Sequence, residues 1–144
     1  MTDEYVVLLE KLTALRKLRM KILNEINAGL KDINSRDFVV LHRICKENGE
    51  PTMSDLSEST GLSNALITSA VDNLERNGFV HRERGKDRRS YSVKLTERGA
   101  DKCHEMEAAK KRMIDTFFKN MSKEDLKELQ DVLKRLNDLI EKYS

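Results

Sequence analysis

The chain has 144 residues, 38% of them hydrophobic and 36% charged, so its length suits one compact domain with a highly charged surface. One proline and six glycines argue against a loop-rich β-sandwich, and no run of about 18 apolar residues could cross a membrane. The formal net charge is only +2. The two cysteines are too few for a disulfide framework, and MTDEYVVLLE lacks the features of a secretory signal, so we expect a cytoplasmic protein. The many Leu, Glu and Lys residues favour a mainly helical fold.

Two helices are predicted in the first third of the chain. Apolar residues at helical spacing predict a long amphipathic helix over residues 4–29, formed around Tyr5, Leu8, Leu12, Leu15, Ile22 and Ile26. Asn34 stands three residues before Asp37, a spacing typical of an N-cap with a reciprocal acidic partner. A second helix is therefore predicted from there to about Glu47.

The next segment has the pattern of a helix-turn-helix. Ser54 is predicted to cap a small helix containing Leu56, and Ser63 to cap the next helix after the tight turn at Gly61. In that later helix the packed face is Ile67, Val71 and Leu74. The polar face is Ser63, Asn64, Thr68, Ser69 and Asn73, with Arg76 at the end. A helix with these two faces suits the DNA major groove, although an ordinary surface helix is the alternative.

After Gly78 the periodicity changes to that of strands. FVHRER and SYSVKL predict a β-hairpin whose tip carries Lys86, Asp87, Arg88 and Arg89. Residues 76–98 hold 8 basic and 3 acidic side chains, whereas residues 1–75 hold 9 and 12, and residues 99–144 hold 10 of each. Arg82, Arg84 and Lys94 are expected to add to the basic surface of the tip. The pattern favours a wing that reaches the DNA backbone or minor groove, with a solvated turn as the alternative.

Two further helices are predicted at the C-terminal end. Thr96 and Gly99 open a long helix to about Asn120, and Ser122 with Asp125 caps the last one. An alternating three–four repeat in that last helix resembles a coiled-coil seam, made of Leu126, Leu129, Leu133, Leu136, Ile140 and Tyr143 and widened by Val132 and Leu139. The seam and the apolar stripe of the first helix predict a homodimer. Packing of the same residues within one chain is the alternative.

Three motifs stand out within residues 62–99. They are the exit from the second helix of the helix-turn-helix (Leu74 to Val80), the wing pattern Asp87-x-Arg89, and Leu95-Thr96-x2-Gly99. In these motifs the segment resembles the MarR family of winged-helix transcription regulators. The resemblance implies a homodimer formed by the N- and C-terminal helices on a pseudo-palindromic DNA site. It also implies that Arg89 enters the minor groove, that Asp87 orients it, and that a small ligand controls binding.

The sequence contains few signatures of catalysis, metal binding or redox sensing. HEMEA at residues 104–108 lacks the second histidine of a zinc protease, and no phosphate-binding loop is present, so we predict no enzymatic activity, cofactor or metal. His42, Cys45, Cys103 and His104 form a weak zinc alternative, because their spacing matches no recognised signature. No cysteine precedes Cys45, which puts in doubt the peroxide sensing that one MarR branch performs with a cysteine in its first helix. No pattern identifies a ligand, and Arg16 and His42 are candidates only.

The predicted fold is mainly α with a small β-hairpin. It comprises a single unit over residues 1–144, with a winged helix-turn-helix DNA-binding part at 31–98 and helical dimerisation parts at 1–30 and 99–144. The predicted function is that of a dimeric, sequence-specific repressor released by a small ligand, the alternative being a winged-helix protein-interaction module. The predicted DNA contacts are Ser63, Asn64, Thr68, Ser69, Asn73, Arg76, Lys86, Asp87, Arg88 and Arg89.

Overall fold

A computed structural model of the chain describes residues 2–47, 50–85 and 91–144. The described elements follow one another as α1 (Thr2–Ala28), α2 (Ser35–Lys46), α3 (Met53–Thr60), α4 (Asn64–Arg76), β1 (Val80–Arg84), β2 (Tyr91–Leu95), α5 (Glu97–Phe117) and α6 (Lys123–Tyr143). The predicted order of helices and hairpin is confirmed. None of the described helices is both long enough and apolar enough to span a membrane.

Local capping residues set the helix starts. The side chains of Asn34, Ser63 and Ser122 each accept a hydrogen bond from the backbone three residues on, as predicted. The expected reciprocal role of Asp37 was wrong, because its carboxylate accepts from Arg36 at 3.2 Å. The prediction for α3 was wrong, because its N-cap is Thr52 rather than Ser54. Thr52 forms a reciprocal capping box with Asp55, with both bonds at 3.0 Å.

The hairpin is a two-stranded antiparallel sheet in which Val80 pairs with Leu95 and Arg84 with Tyr91. Thr52 adds an isolated antiparallel bridge to Ser92, so the segment before α3 runs beside β2. The carbonyl of Pro51 also accepts a hydrogen bond from the amide of Val93 at 2.8 Å. These bonds attach the hairpin to the start of the helix-turn-helix.

The chain divides into two compact units, Met1–Met113 and Ile114–Ser144. In the first unit a single core joins α2, α3, α4, the hairpin and the first half of α5. Its fully buried side chains include Phe38, Leu41, Leu56, Ile67, Leu74, Val93 and Met106. From α1 only the C-terminal turns reach this core, through Ile26, while the side chains from Asp3 to Arg19 are exposed.

The second unit contains α6, and none of the described side chains of this helix is buried within the single chain. The seam residues Leu129, Leu133, Ile140 and Tyr143 are all exposed, Leu133 at 43%. An exposed apolar row of this length is unusual for a helix that has no partner, since large apolar patches generally mark interaction surfaces. The division into a DNA-binding part at 31–98 and dimerisation parts around it stays a prediction.

Candidate DNA-binding surface

Helix α4 has the two faces that the sequence predicts. Ile67, Val71 and Leu74 are completely buried against the core, which fixes the rotation of the helix about its axis. The opposite face consists of short polar side chains and ends in a cation. Asn64, Thr68, Ser69 and Arg76 are exposed, Asn73 is half-buried, and Ser63 precedes the helix as its exposed N-cap.

The polar face is partly ordered by its own hydrogen bonds. The hydroxyl of Thr68 donates to the carbonyl of Asn64 at 2.9 Å. The guanidinium of Arg76 donates to the side-chain oxygen of Asn73 at 3.0 Å. Thr68 and Asn73 therefore have internal partners, whereas Arg76 keeps further N–H donors that can reach a phosphate or a base edge.

Leu66 is a member of this face that the sequence interpretation missed. Its side chain is 42% exposed and lies one helical turn before Ser69 and Ala70. The sequence contained a signal for this exposure, because Leu66 lies outside the helical spacing of Ile67, Val71 and Leu74 that marks the buried face. An exposed aliphatic side chain among polar ones can contact the methyl group of thymine, which is an apolar feature of the major groove.

Arg82 does not extend the basic surface as expected. Its guanidinium donates to the Glu75 carboxylate at 3.1 Å and also to the carboxylate of Asp72. A third, weaker bond reaches the carbonyl of Thr68 at 3.4 Å. Because its charge is compensated by two residues of α4, Arg82 joins the helix to strand β1 instead of offering a free cation.

Lys94 also has carboxylate partners. Its ammonium lies 3.3 Å from a Glu50 oxygen and 3.9 Å from a Glu83 oxygen. A hydrogen bond from His81 and the charge of Lys94 hold the pKa of Glu83 below its usual range, so this carboxylate remains ionised. The 8 basic residues counted in 76–98 therefore overstate the free positive charge of this segment. Three carboxylates from outside it, Glu50, Asp72 and Glu75, pair with its cations Lys94 and Arg82.

At the end of β1, Arg84 lies over the ring of Tyr91, with its guanidinium carbon 5.8 Å from the ring centroid. Both residues border the hairpin tip and are exposed. The predicted contacts Lys86, Asp87, Arg88 and Arg89 lie outside the described residues.

The zinc alternative is not supported. Cys45 and Cys103 do come together, since α2 and α5 meet, but their sulfur atoms are bonded to each other in a disulfide. Within residues 2–47, 50–85 and 91–144 no group of three or more histidines, cysteines and carboxylates is placed to hold a metal ion. The sequence alone did not predict this pairing, because the two cysteines are 58 positions apart in the chain.

A cavity of about 730 Å³ lies between the α1–α2 turn and α5. Phe79 lines it, with the guanidinium of Arg98 and the ammonium of Lys102 5.1 and 5.7 Å from the ring centroid. Lys102 is nearly buried, donates to the carbonyl of Lys31 at 2.9 Å and pairs with Glu105. Neither of the candidate ligand residues lines this cavity: the exposed Arg16 borders an open groove formed by α1 alone, and His42 stacks on Phe38.

Comparisons with known proteins agree with this architecture. Residues 33–91 match the model of the MarR family. The uncharacterised HTH-type transcriptional regulator YwhA of Bacillus subtilis (strain 168) is 30% identical over 104 residues, which cover 72% of this chain and 73% of YwhA. FabT of Streptococcus pneumoniae, solved in complex with DNA, is 26% identical with a TM-score of 0.74 and coverage of 97% and 99% of the two chains. A MarR transcriptional regulator from Methanosarcina mazei Go1 shares the fold at 23% identity, with a TM-score of 0.78 and coverage of 96% and 99%. The family match, the extent of the similarity to YwhA and the observed winged helix-turn-helix together show that this chain belongs to the MarR family of transcription regulators.

Proposed function

We propose that the chain is a cytoplasmic, dimeric repressor that occupies a pseudo-palindromic operator and is released by a small ligand. The observation that carries the proposal is the arrangement of α4, whose apolar face is buried while its short polar side chains and Arg76 face outward. A helix presented in this way can enter a major groove and reach base edges. The solved complex of FabT with DNA supports the same use of the fold.

Base recognition is assigned to the outer face of α4. Ser69, Asn73 and Leu66 are the side chains that we propose to read base edges, by hydrogen bonds or by contact with thymine methyl groups. Ser63, Asn64, Thr68 and Arg76 are proposed to position the helix on the phosphates and flanking bases. The wing residues Lys86, Asp87, Arg88 and Arg89 are proposed to contact the adjacent minor groove and backbone.

Dimerisation is proposed because each unit exposes an apolar surface that a monomer would leave in water. In the first unit, α1 exposes Tyr5, Leu8, Leu12 and Leu15. In the second unit, α6 exposes most of its leucine seam, while Leu126 and Leu136 are half-buried. A two-fold dimer covers such surfaces and presents two copies of α4 to two half-sites of a palindrome.

The cavity beside Phe79 is the candidate effector site. Its lining carries both signs of charge, with Arg98 and Lys102 next to Asp32, Asp101 and Glu105, so it suits a small polar molecule that can bind both cations and carboxylates. Ligand binding there would act on the connection between α1 and α2, because Lys102 holds the carbonyl of Lys31 in that connection.

The test is selection of bound fragments from genomic DNA, followed by titration of a selected duplex at several salt concentrations. We expect the logarithm of affinity to fall linearly with the logarithm of salt concentration. The variant with Arg88→Ala and Arg89→Ala should bind less tightly and show a slope smaller by roughly two. The matched control, Lys123→Ala with Lys127→Ala, removes two cations from α6 instead. If no duplex is selected, or if both variants lose affinity equally, the protein-interaction alternative is favoured.

A further inference from the structure

The two cysteines of the chain join α2 to α5. Cys45 lies in the last turn of α2 and Cys103 in the second turn of α5, and the disulfide between them spans Cα atoms 5.8 Å apart. This separation lies within the range of roughly 4.4–6.8 Å in which two cysteines bond without backbone movement. The positions of the two helices are therefore compatible with the bond.

The disulfide encloses the part of the chain that holds the candidate DNA contacts. Its cysteines are 58 positions apart, and the residues between them, 46–102, are called the reading segment below. This segment includes α3, α4 and the hairpin, and it contains every candidate DNA contact from Ser63 to Arg89. The bond therefore ties together the two ends of the reading segment.

Other contacts hold the same two helices together when the bond is open. Met106 and Ala109 of α5 are buried in the same core as Leu41 and Ile44 of α2. The ammonium of Lys46, next to Cys45, lies 3.9 Å from the carboxylate of Glu107, one helical turn beyond Cys103. The fold thus does not depend on the disulfide alone, and a reduced form can remain folded.

The surroundings of the pair favour thiol chemistry. Both cysteines are half-buried, so a small reagent can reach them from solvent. His42, one turn before Cys45, has a pKa below its ordinary value because it is partly buried and because Lys110 and Lys46 are close. Lys46 adjoins Cys45 in the chain and shares Glu107 with Lys110. A nearby cation favours the thiolate, which is the reactive form of a cysteine.

We propose that Cys45 and Cys103 form a reversible redox site that sets the affinity of the reading segment for DNA. The inference rests on the proposed function, since a DNA-binding regulator shares a compartment with the genome. In the reducing cytoplasm, disulfides of most organisms are transient and either catalytic or redox-sensing. The site would thus couple the thiol–disulfide balance of the cell to transcription.

The oxidant is a low-molecular-weight disulfide. The thiolate of one cysteine attacks a sulfur of glutathione disulfide, which forms a mixed disulfide and releases one glutathione thiolate. The second cysteine then attacks the protein sulfur of the mixed disulfide, forms the Cys45–Cys103 bond and releases the second glutathione. The two cysteines lose two electrons and two protons, and two molecules of glutathione thiol carry them away.

The oxidised form is expected to bind DNA more tightly. Closing the bond removes conformational freedom from the ends of the reading segment before DNA arrives, so less freedom is lost on binding. We expect an affinity difference of roughly five- to tenfold between the oxidised and reduced forms at the same salt concentration.

The first measurement is a redox titration of the full chain in glutathione buffers, read by mass after trapping of free thiols. We expect the pair to pass from dithiol to disulfide within the range of glutathione ratios found in cells. A pair that stays fully oxidised, or fully reduced, across that range would overturn the redox site.

The second measurement compares both forms on one duplex. The duplex is selected from a randomised library with the double variant Cys45→Ala and Cys103→Ala, which cannot form the bond. The selected sequence is therefore one that suits the form without the disulfide, and it gives the oxidised form no advantage. That variant also serves as the control. It has no thiol that can react with glutathione disulfide, so its affinity should not respond to this reagent. Equal affinity of the two wild-type forms, or tighter binding by the reduced form, would overturn this inference and leave the proposed function intact. Failure of every form to bind DNA would overturn the proposed function and the inference together.

Discussion

Arg82 of β1 is bound to Glu75 of α4 through both its backbone and its side chain. The amide nitrogen of Arg82 donates to one Glu75 carboxylate oxygen at 2.9 Å, and its guanidinium donates to the other at 3.1 Å. Asp72, one helical turn earlier, accepts a further bond from the same guanidinium. Helix α4, which we propose to face DNA, and the first strand of the hairpin are therefore connected by charge-assisted hydrogen bonds, which fix their relative orientation.

We expect Arg82→Met to lower the free energy of unfolding by about 1–2 kcal/mol, toward the lower value because both carboxylates are partly exposed to solvent. The measurement is chemical denaturation. Arg84→Met is the matched control, because Arg84 contacts Tyr91 and not α4. A loss of stability equal in both variants would mean that the Glu75 and Asp72 contacts contribute nothing specific.

Gly99 lies where the first turn of α5 passes over the backbone of Phe79. A Cβ atom at this position would lie 1.9 Å from the Phe79 carbonyl oxygen, and that backbone cannot move without shifting the hairpin. We expect Gly99→Ala to destabilise the chain by roughly 3 kcal/mol or more. Gly29→Ala is the control. Its added Cβ would meet only an ordinary contact at 3.6 Å, so stability should change by less than about 1 kcal/mol. Similar melting temperatures for the two variants would contradict the close approach.

The outer face of α4 should determine sequence preference. We expect Ser69→Ala and Asn73→Ala to relax discrimination at particular base pairs by roughly 1–3 kcal/mol, because base-edge contacts carry the sequence information. Leu66→Ala should weaken preference for thymine with little loss of stability, since Leu66 is exposed. The measurement is binding to a set of single-base operator variants. Ser59→Ala on α3 is the control and should leave the preferences unchanged. If all three α4 variants retain the wild-type pattern, the helix or its face is wrongly assigned.

The wing prediction concerns Asp87 and Arg89. Arg89→Ala should weaken binding to many sequences and reduce the salt slope by roughly one, because one cationic contact is lost. Asp87→Ala should also weaken binding, although it removes a negative charge, because the proposed task of Asp87 is to orient Arg89. The measurement is titration of operator DNA at several salt concentrations, on variants shown to fold and dimerise. It separates an orienting role of Asp87 from a simple effect of its negative charge. Tighter binding by Asp87→Ala would end the orienting role, and unchanged binding by Arg89→Ala would end the role of the wing.

The leucine seam of α6 should hold the dimer together. Leu133→Asp places a charge on the exposed apolar row, and we expect it to dissociate or unfold the protein. Asn137→Asp adds the same charge at an exposed position of α6 outside the seam and should leave the dimer intact. Analytical ultracentrifugation at micromolar concentration measures both. A well-folded wild-type monomer under those conditions would contradict the prediction.

Local sequence patterns were sufficient for the elements and for the faces of the helices. The spacing of Ile67, Val71 and Leu74 predicted the buried face of α4, and Ser63 and Ser122 predicted two helix starts correctly. These features depend on residues within one or two turns of each other, so the chain order alone contains the information. The alternation of strand residues around the hairpin is local in the same sense.

Tertiary structure decided the contacts between residues that are far apart in the chain. Thr52 rather than Ser54 caps α3, and Thr52 also bridges to Ser92 across the fold. The charge of Arg82 is compensated by carboxylates of another element, which a count along the chain does not show. Cys45 and Cys103 meet only because the core brings α2 against α5. The sequence by itself therefore determined the elements and the family, while packing decided which charges are free and which side chains are joined, because those properties depend on distances in space rather than along the chain.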